Sequence, residues 1–210
     1  MRVVAGSAKG RRLVGPKSHG TRPIMDRVKT ALFDILTPDI AETRFLDLFA
    51  GTGGIGIEAL SRGAAFATFI ELAPEALQCV RQNLAITGFT QQAEVLRMDA
   101  FAYLGRAYAS GTRYDIVYVA PPQYQGMAAR AVAALDARPL TETGGRVIVQ
   151  VHPRERAELD ALALARLRRS DERRYGSTLL VFYEHAPEGD THAAPDGDIA
   201  SLDGQHEPFE

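Results

Sequence analysis

The stretch 45-FLDLFAGTGGIGIEAL-60 decides the fold of this chain. An apolar run ends in a glycine-rich turn, and apolar residues then recur at helical spacing from Ile55 onward. The pattern predicts a buried strand, a sharp turn and a helix whose N-terminus faces the strand end. Backbone N–H groups and the positive end of the helix dipole would then surround a polar ligand. The spacing Gly51-x-Gly53-x-x-Gly56 matches the dinucleotide fingerprint, which on its own is a weak signal.

Strand-like and helical segments alternate after this stretch. Strand, helix, strand at such spacing predicts parallel βαβ units, and the uniformly apolar strands predict helices on both sheet faces. Segments 165–171 and 177–184 follow with only a short connection and predict an antiparallel hairpin at the sheet edge. The predicted class is therefore α/β, with a mostly parallel seven-stranded sheet. The other strands are predicted at residues 44–49, 67–70, 93–97, 114–119 and 146–151, and the helices between them at 54–61, 74–86, 99–103 and 126–137.

The two ends of the chain differ from its middle. Residues 1–23 mix a short strand candidate with repeated Gly and Pro, which predicts a basic N-terminal arm or hairpin rather than a core element. Residues 24–186 form the predicted main domain, beginning with a helix from Ile24 that Pro38 ends. Residues 187–210 contain almost no apolar side chains, so we expect an acidic, disordered tail.

The composition excludes several classes of protein. With 46% hydrophobic and 24% charged residues the chain is an ordinary globular one. It has no apolar run of the roughly 18 residues that span a membrane, and no apolar segment of a secretory signal near Met1. Cys79 is the only cysteine, which excludes an internal disulfide and a cysteine cluster for zinc. We therefore expect a cytoplasmic protein without a membrane or metal partner.

The charge is distributed unevenly. The formal net charge is −2, yet the tail carries seven acidic residues and no basic ones. Residues 1–30 carry eight basic residues against Asp26 alone. A basic arm on a nearly neutral body is typical of a protein that binds a phosphate backbone, although a solvated surface segment has the same composition.

Three acidic residues lie where three successive predicted strands end. Ligands of open parallel sheets bind outside the carboxyl ends of the strands. There Glu71 can accept two ribose hydroxyls and Asp99 an adenine amine, while Asp47 would repel a pyrophosphate and attract an ammonium and a sulfonium. Each acid could instead cap a helix or a turn. Together they predict S-adenosylmethionine as the ligand and disfavour a nicotinamide oxidoreductase.

The segment 114-YDIVYVAPPQYQG-126 is the second indication of function. Two prolines after a buried strand keep nearby carbonyl oxygens out of helices and ladders. Those carbonyls can accept hydrogen bonds from an exocyclic amine, and Tyr124 can stack on a flipped base. The alternative is a strand-ending proline turn with a core tyrosine.

Together these motifs resemble the bacterial ribosomal RNA guanine-N2 methyltransferases of the RsmD type, which modify small-subunit ribosomal RNA. The resemblance covers about residues 1–185 through VVAGSAKGRRL, TRPIMDRVKTALFDIL, DLFAGTGGIGIEALSRGA, FIEL, MDAF, VAPPQY and RRYGSTLLVFYE. It implies a Rossmann-like methyltransferase fold and an enzyme that uses S-adenosylmethionine. Residues 21–27 resemble the family segment that closes over the methionine end of the cofactor and approaches the RNA.

The expected site residues fall into three groups. We expect RNA phosphates to bind to basic side chains at the N-terminal end: Lys9, Arg11, Arg12, Arg22 and Arg27. The resemblance implies that the target amine meets Ala120, Pro121, Pro122 and Tyr124. It implies that the cofactor meets Asp47, Ala50, Gly51, Gly53, Gly56, Glu71, Leu72, Asp99 and Ala100.

The chain departs from the family at one position of chemical interest. The family segment is DPPY or DPPF, whereas here Ala120 replaces the acid, Gln123 the aromatic residue, and Tyr124 comes one residue later. The expected reaction is direct methyl transfer to guanine N2 by a monomeric enzyme acting on ribosomal RNA or an assembling small subunit. Activity on a different RNA target, or a non-catalytic RNA-binding or assembly protein with the same fold, are the alternatives.

Overall fold

The computed structural model describes residues 1–15 and 26–185, in which a seven-stranded sheet carries helices on both faces. In the described residues no helix is long and apolar enough to cross a membrane. Single 3₁₀ turns occur at Thr90–Gln92 and Pro153–Glu155. The helices are α1 Asp26–Leu36, α2 Gly54–Ser61, α3 Pro74–Thr87, α4 Ala100–Ala109, α5 Met127–Ala137 and α6 Arg156–Asp160, and the strands are β1 Arg44–Asp47, β2 Phe66–Glu71, β3 Ala93–Arg97, β4 Tyr114–Val119, β5 Thr141–Val151, β6 Leu167–Tyr175 and β7 Thr178–His185.

The strand order is β3-β2-β1-β4-β5-β7-β6. Strands β1 to β5 pair in parallel, and β7 pairs antiparallel with both β5 and β6. The predicted class, a mostly parallel seven-stranded sheet with a C-terminal antiparallel hairpin, is thus confirmed. From β1 the chain continues to β2 and β3 on one side of the sheet, and from β4 it continues to β5 on the other side. The strand order therefore reverses between β1 and β4. Their carboxyl ends open on one edge, where ligands of such sheets bind.

Each face of the sheet has its own apolar core. One core joins α1, α2 and α3 to the sheet around Phe33, Phe45 and Phe69, which are fully buried. The other joins α4, α5 and α6 to the opposite face around Val117 and Val149. Because both faces are covered, the parallel strands are apolar on both sides rather than alternating, as predicted.

The N-terminal segment packs more deeply than its sequence suggested. Val3 N–H donates to the Arg11 carbonyl at 3.0 Å and Gly10 N–H to the Val3 carbonyl at 2.9 Å, so a short hairpin forms. We expected this hairpin to lie outside the core, but Val3 and Leu13 are 1% and 7% exposed and belong to the core of α1 to α3. The sequence of the hairpin contains too few apolar residues among its charged ones to show a periodic pattern.

A buried carboxylate on α2 anchors the hairpin. Glu58 is fully buried and accepts the N–H groups of Val4 at 2.8 Å and Ala5 at 2.9 Å. The same carboxylate pairs with Lys29 of α1 at 3.0 Å and with Arg62 at 3.1 Å. These four donors compensate the buried charge of Glu58. Glu58 thereby joins the hairpin, α1 and α2 in one network.

Candidate cofactor and target-base site

The loop between β1 and α2 takes the tight course that its glycines predict. Gly51 and Gly53 have φ angles of 53° and 79°, the left-handed region in which glycine is favoured. Gly53 N–H donates to the Ala50 carbonyl at 2.8 Å and closes the turn. At Gly56 a Cβ atom would lie 2.3 Å from the Phe69 ring, so only glycine lets α2 approach β2 this closely. The glycines therefore let the loop turn tightly and let α2 pack closely on β2, with the N-terminus of α2 at the sheet edge where ligands of such sheets bind.

Asp47 places a carboxyl group beneath this loop. Its side chain is 2% exposed, and Oδ2 accepts the Gly56 N–H at 3.0 Å. Burial raises the pKa of Asp47 to about 7, against the lowering effect of the Gly56 hydrogen bond and with a further increase from the nearby charge of Glu71. A cation placed beside Asp47 would favour the ionised form. The site thus fits a ligand with positive charge at this end, as the ammonium and sulfonium of S-adenosylmethionine would provide.

Glu71 is held rigidly at the end of β2. Its Oε2 accepts the Gly51 N–H at 2.8 Å, and Oε1 accepts those of Leu72 at 2.8 Å and Ala73 at 2.9 Å. These bonds tie the cofactor loop to the end of β2 and, within the described residues, leave one acceptor position free, on Oε2, since each carboxylate oxygen can accept two bonds. Leu72 beside it is 59% exposed, which suits a side chain that covers a bound ring. Ribose binding by Glu71 stays a prediction.

Asp99 adopts the alternative role that its sequence position allowed. It is the N-cap of α4, and Oδ1 accepts the N–H groups of Phe101 at 3.0 Å and Ala102 at 2.9 Å. Oδ2 accepts no hydrogen bond from the described residues, so it can still receive an amine. Ala100 follows as the first, buried residue of α4. A capping acid at this edge is compatible with the adenine contact that we predict.

The segment after β4 lies on the same edge. Pro121 is buried and Ala120 half-buried, whereas Pro122 and Tyr124 point outward. Tyr124 is 58% exposed and has a φ of 62°, which is rare for a residue with a side chain. Its N–H donates to Glu155 Oε1 at 2.9 Å. An exposed aromatic ring held in a costly backbone conformation is typical of a functional loop.

The structure adds two residues to this segment that the sequence analysis missed. His152 and Glu155 follow β5, and the Tyr124 and His152 ring centroids are 5.4 Å apart. The rule that ligand-binding residues follow the strand ends would have found them, because β5 is parallel to β4.

Asn83 of α3 is the third residue that was missed. Its side chain is fully buried and joins two segments: Nδ2 donates to the carbonyls of Val14 and Thr52, both at 3.0 Å, and Oδ1 accepts the Val14 N–H at 2.7 Å. It thereby links the N-terminal segment to the cofactor loop. An asparagine on the apolar face of α3, one turn from Val80 and about two turns from Leu77, was the available signal.

The basic residues of the N-terminal end are spread over different places. Lys9, Arg11 and Arg12 are exposed on the hairpin, and Arg27 is exposed in the first turn of α1. The hairpin turn with Lys9 packs on Ser61, the last residue of α2, and so lies at the other end of that helix from the cofactor loop. Arg22 and most of segment 21–27 lie outside the described residues. RNA binding by this set stays a prediction.

No group of three or more His, Cys, Asp or Glu side chains that could hold a metal ion occurs within residues 1–15 and 26–185.

The chain is similar to a known protein family, to curated proteins and to a solved structure. A family model described as "Conserved hypothetical protein 95" matches residues 1–184. The chain is 37% identical over 155 residues to the putative rRNA methyltransferase YlbH of Bacillus subtilis, covering 74% of this chain and 84% of that protein. It is 40% identical over 136 residues to the ribosomal RNA small subunit methyltransferase D of Escherichia coli, covering 65% and 67%. The solved structure of the putative methyltransferase yhhF from Escherichia coli is 31% identical with a TM-score of 0.75, covering 88% and 97%.

Proposed function

Because the chain belongs to the family of RsmD-type ribosomal RNA methyltransferases, we propose that it methylates the exocyclic N2 of a guanine in small-subunit ribosomal RNA, with S-adenosylmethionine as the methyl donor. The relatives' names support ribosomal RNA as the substrate class. The choice of guanine N2 rests on the resemblance of the motifs and on the polar groups that follow β4.

The observation that carries the proposal is Asp47. A buried carboxyl group with its pKa raised to about 7 is costly to ionise unless a positive charge lies beside it, and Asp47 lies directly beneath the glycine-rich loop. When bound, the cofactor supplies a methyl group on a sulfonium cation. Glu71 and Asp99 would receive its ribose and adenine, while Ala50, Gly51, Gly53, Gly56, Leu72 and Ala100 form the walls.

The residues after β4 would orient the target amine. The carbonyls of Ala120 and Pro121 accept its N–H groups, so that the nitrogen lone pair faces the methyl carbon, and Tyr124 stacks on the extruded base. So positioned, the nitrogen would take the methyl group that the sulfonium of the cofactor supplies, the carbon–sulfur electron pair would stay on sulfur, and the amine would release a proton to water. Positioning supplies most of the rate enhancement in such a transfer. Neither a metal nor a covalent intermediate takes part.

The basic N-terminal residues would hold the RNA, whether as free ribosomal RNA or in an assembling small subunit in the cytoplasm. The phosphate groups would be bound by the side chains of Lys9, Arg11, Arg12, Arg22 and Arg27. The enzyme would act as a monomer. Its parts would be an arm of residues 1–23, a methyltransferase domain of residues 24–186 and an acidic tail of residues 187–210.

A second candidate is a non-catalytic RNA-binding or assembly protein. One observation favours it: Ala120 stands where the family carries an acid that accepts a hydrogen bond from the target amine. The fold and the RNA-binding surface would then be kept without methyl transfer.

Two measurements test the proposal. Calorimetry with S-adenosylmethionine and with NAD should show binding of the first alone, and the reverse result would identify an oxidoreductase. Labelled methyl groups should then be incorporated into small subunits from cells that lack the protein. Absence of incorporation, with the cofactor bound and the RNA held, would favour the non-catalytic candidate.

A further inference from the structure

Two aromatic rings meet where neighbouring strands end. Tyr124 follows β4 and His152 follows β5; their ring centroids are 5.4 Å apart and their planes are inclined by 48°. Because β4 and β5 pair in parallel, both rings lie on the edge that carries Ala120. Tyr124 is 58% exposed and His152 half-buried, so the pair presents an open aromatic surface.

One buried carboxylate fixes the backbone at both residues. Glu155 is 3% exposed, and it accepts the Tyr124 N–H on Oε1 at 2.9 Å and the His152 N–H on Oε2 at 3.1 Å. These bonds hold together two loops that are distant in sequence, since Tyr124 and His152 are 28 residues apart. They also sustain the positive φ of Tyr124, which a residue with a side chain adopts only under such constraint.

The hydrogen bonding of His152 decides which of its ring nitrogens carries a proton. Nδ1 accepts the Arg154 N–H at 3.2 Å. The neutral ring therefore carries its proton on Nε2, which becomes a donor. The His152 ring lies 5.4 Å from the Tyr124 ring, centroid to centroid, and so can offer this donor to a planar ligand that stacks on Tyr124.

We infer that His152, beside the Tyr124 ring on which the target base is proposed to stack, selects guanine over adenine. The base stacks on the Tyr124 ring, as extruded and single-stranded bases do on aromatic side chains. His152 Nε2–H donates to guanine O6, where adenine presents an amine that can only donate. Glu155 is a positioning residue for both. This inference rests on the proposed function and extends it from the reaction to the recognition of the base.

Kinetics of methylation test the subsite in the reaction. Tyr124→Ala should lower kcat/KM for undermethylated small subunits by about 10- to 100-fold, the loss expected for one stacked base. Tyr124→Phe should retain activity, since it keeps the ring. His152→Ala should lower kcat/KM by about tenfold at most, the value of one hydrogen bond. The affinity for S-adenosylmethionine should not change in any variant, and Tyr108→Ala, which removes an exposed tyrosine on α4, is the matched control.

Nucleotide binding tests it without the reaction. Saturation-transfer NMR with guanosine and adenosine 5′-monophosphates, in the presence of S-adenosylhomocysteine, should show preferential binding of the guanine nucleotide. His152→Ala should abolish the preference and Tyr124→Ala the binding. Methylation that survives both substitutions unchanged would overturn the subsite and leave the proposed reaction intact. The opposite outcome is also informative. If the wild-type protein methylates no RNA but prefers the guanine nucleotide through Tyr124 and His152, the proposed reaction is contradicted and the subsite is supported. Equal or absent binding of both nucleotides would overturn the inference.

Discussion

At the scale of single residues, Asp47 has opposite effects on folding and on binding. The pKa of its carboxyl group rises from 3.8 to about 7 in the folded chain, so between these values the folded state holds the proton more tightly than the unfolded state. The contribution of Asp47 to the free energy of unfolding is therefore greatest below pH 4 and is lost as the pH rises to 7.

Substitution of Asp47 should expose this effect. We expect Asp47→Asn to be more stable than the wild type at pH 8 in the absence of cofactor, by up to about 4 kcal/mol, and the gap to close as the pH falls toward 4. Urea unfolding at a series of pH values measures it. A gap that does not vary with pH would show that Asp47 is not protonated in the free protein.

The same substitution should impair cofactor binding. A bound sulfonium and ammonium interact with the ionised Asp47, so Asp47→Asn should weaken S-adenosylmethionine binding by about 10- to 100-fold, the value of a charged interaction of about 1.5–3 kcal/mol. Wild-type affinity should rise as the pH increases from 6 to 8, while the variant should lose this dependence. Calorimetry at several pH values provides the measurement, and an unchanged affinity in the variant would place the cation elsewhere.

Ala120 is the position where an added group should increase activity. Ala120→Asp supplies a further acceptor for the target amine, and we expect kcat to rise by up to about 100-fold, as for other single polar groups that act on the transition state. Ala120→Ser, which adds a hydroxyl without charge, is the matched control. An unchanged kcat in Ala120→Asp would show that the backbone carbonyls suffice.

At the scale of elements, Asn83 links α3 to two segments that the proposed function uses. Asn83→Ala would leave the carbonyls of Val14 and Thr52 and the Val14 N–H without this partner. A hydrogen bond contributes about 0.5–1.5 kcal/mol and these groups are only partly buried, so the melting temperature and the cofactor affinity should both fall modestly. Thr87→Val is the control, because the Thr87 hydroxyl lies one turn later and bonds only to helix carbonyls. Cofactor affinity equal to that of the wild type would show that the linkage has no role in binding.

The anchor of the N-terminal hairpin can be tested by stability alone. Glu58→Gln leaves Lys29 buried without its counter-charge, and removing one partner of a buried pair costs about 3–5 kcal/mol. Asp34→Asn removes the exposed partner of Arg62, 3.8 Å away, and should change the free energy of unfolding by less than about 0.5 kcal/mol. Similar losses in both variants would mean that the buried network does not hold the hairpin.

The elements differ in how far their sequences revealed them. Strands β3 and β4 were predicted to the residue, and in β4 an apolar run that ends before two prolines leaves few alternatives. Helix α4 was predicted to end at residue 103 but continues to Ala109. Strand β5 begins five residues before the predicted start because Thr141 already pairs with Tyr114 of β4, although the register is interrupted across Gly144 and Gly145 and resumes only at Arg146. Tertiary contacts decided these boundaries.

The prediction of the site residues from the sequence was limited in the same way. Residues 47, 71 and 99 could be located because they follow strands along the chain, and the structure brings their backbones to one edge. Glu155 could not be assigned a role in the same way, because its partners Tyr124 and His152 meet only when β5 lies beside β4. Contacts between loops distant in sequence are set by the sheet order, which local patterns do not encode.

At the scale of the whole molecule, the distribution of charge predicts how RNA binding depends on salt. Replacing Arg11 and Arg12 by Ala should weaken binding to RNA of any sequence and reduce the slope of log K against log salt by about 1.5, since each phosphate contact contributes about 0.7–0.9. Arg106 and Arg138, exposed on and after the last turns of α4 and α5, form a matched control pair. Equal slopes for the two double variants would remove the hairpin from the RNA-binding surface.

The most direct measurement of the central proposal is a mass spectrometric map of methylated nucleotides in small-subunit ribosomal RNA from cells with and without this protein. We expect one guanine to carry an N2-methyl group only when the protein is present, and to regain it when the wild-type gene is restored. Identical maps in the two cell lines would contradict the proposed methyl transfer.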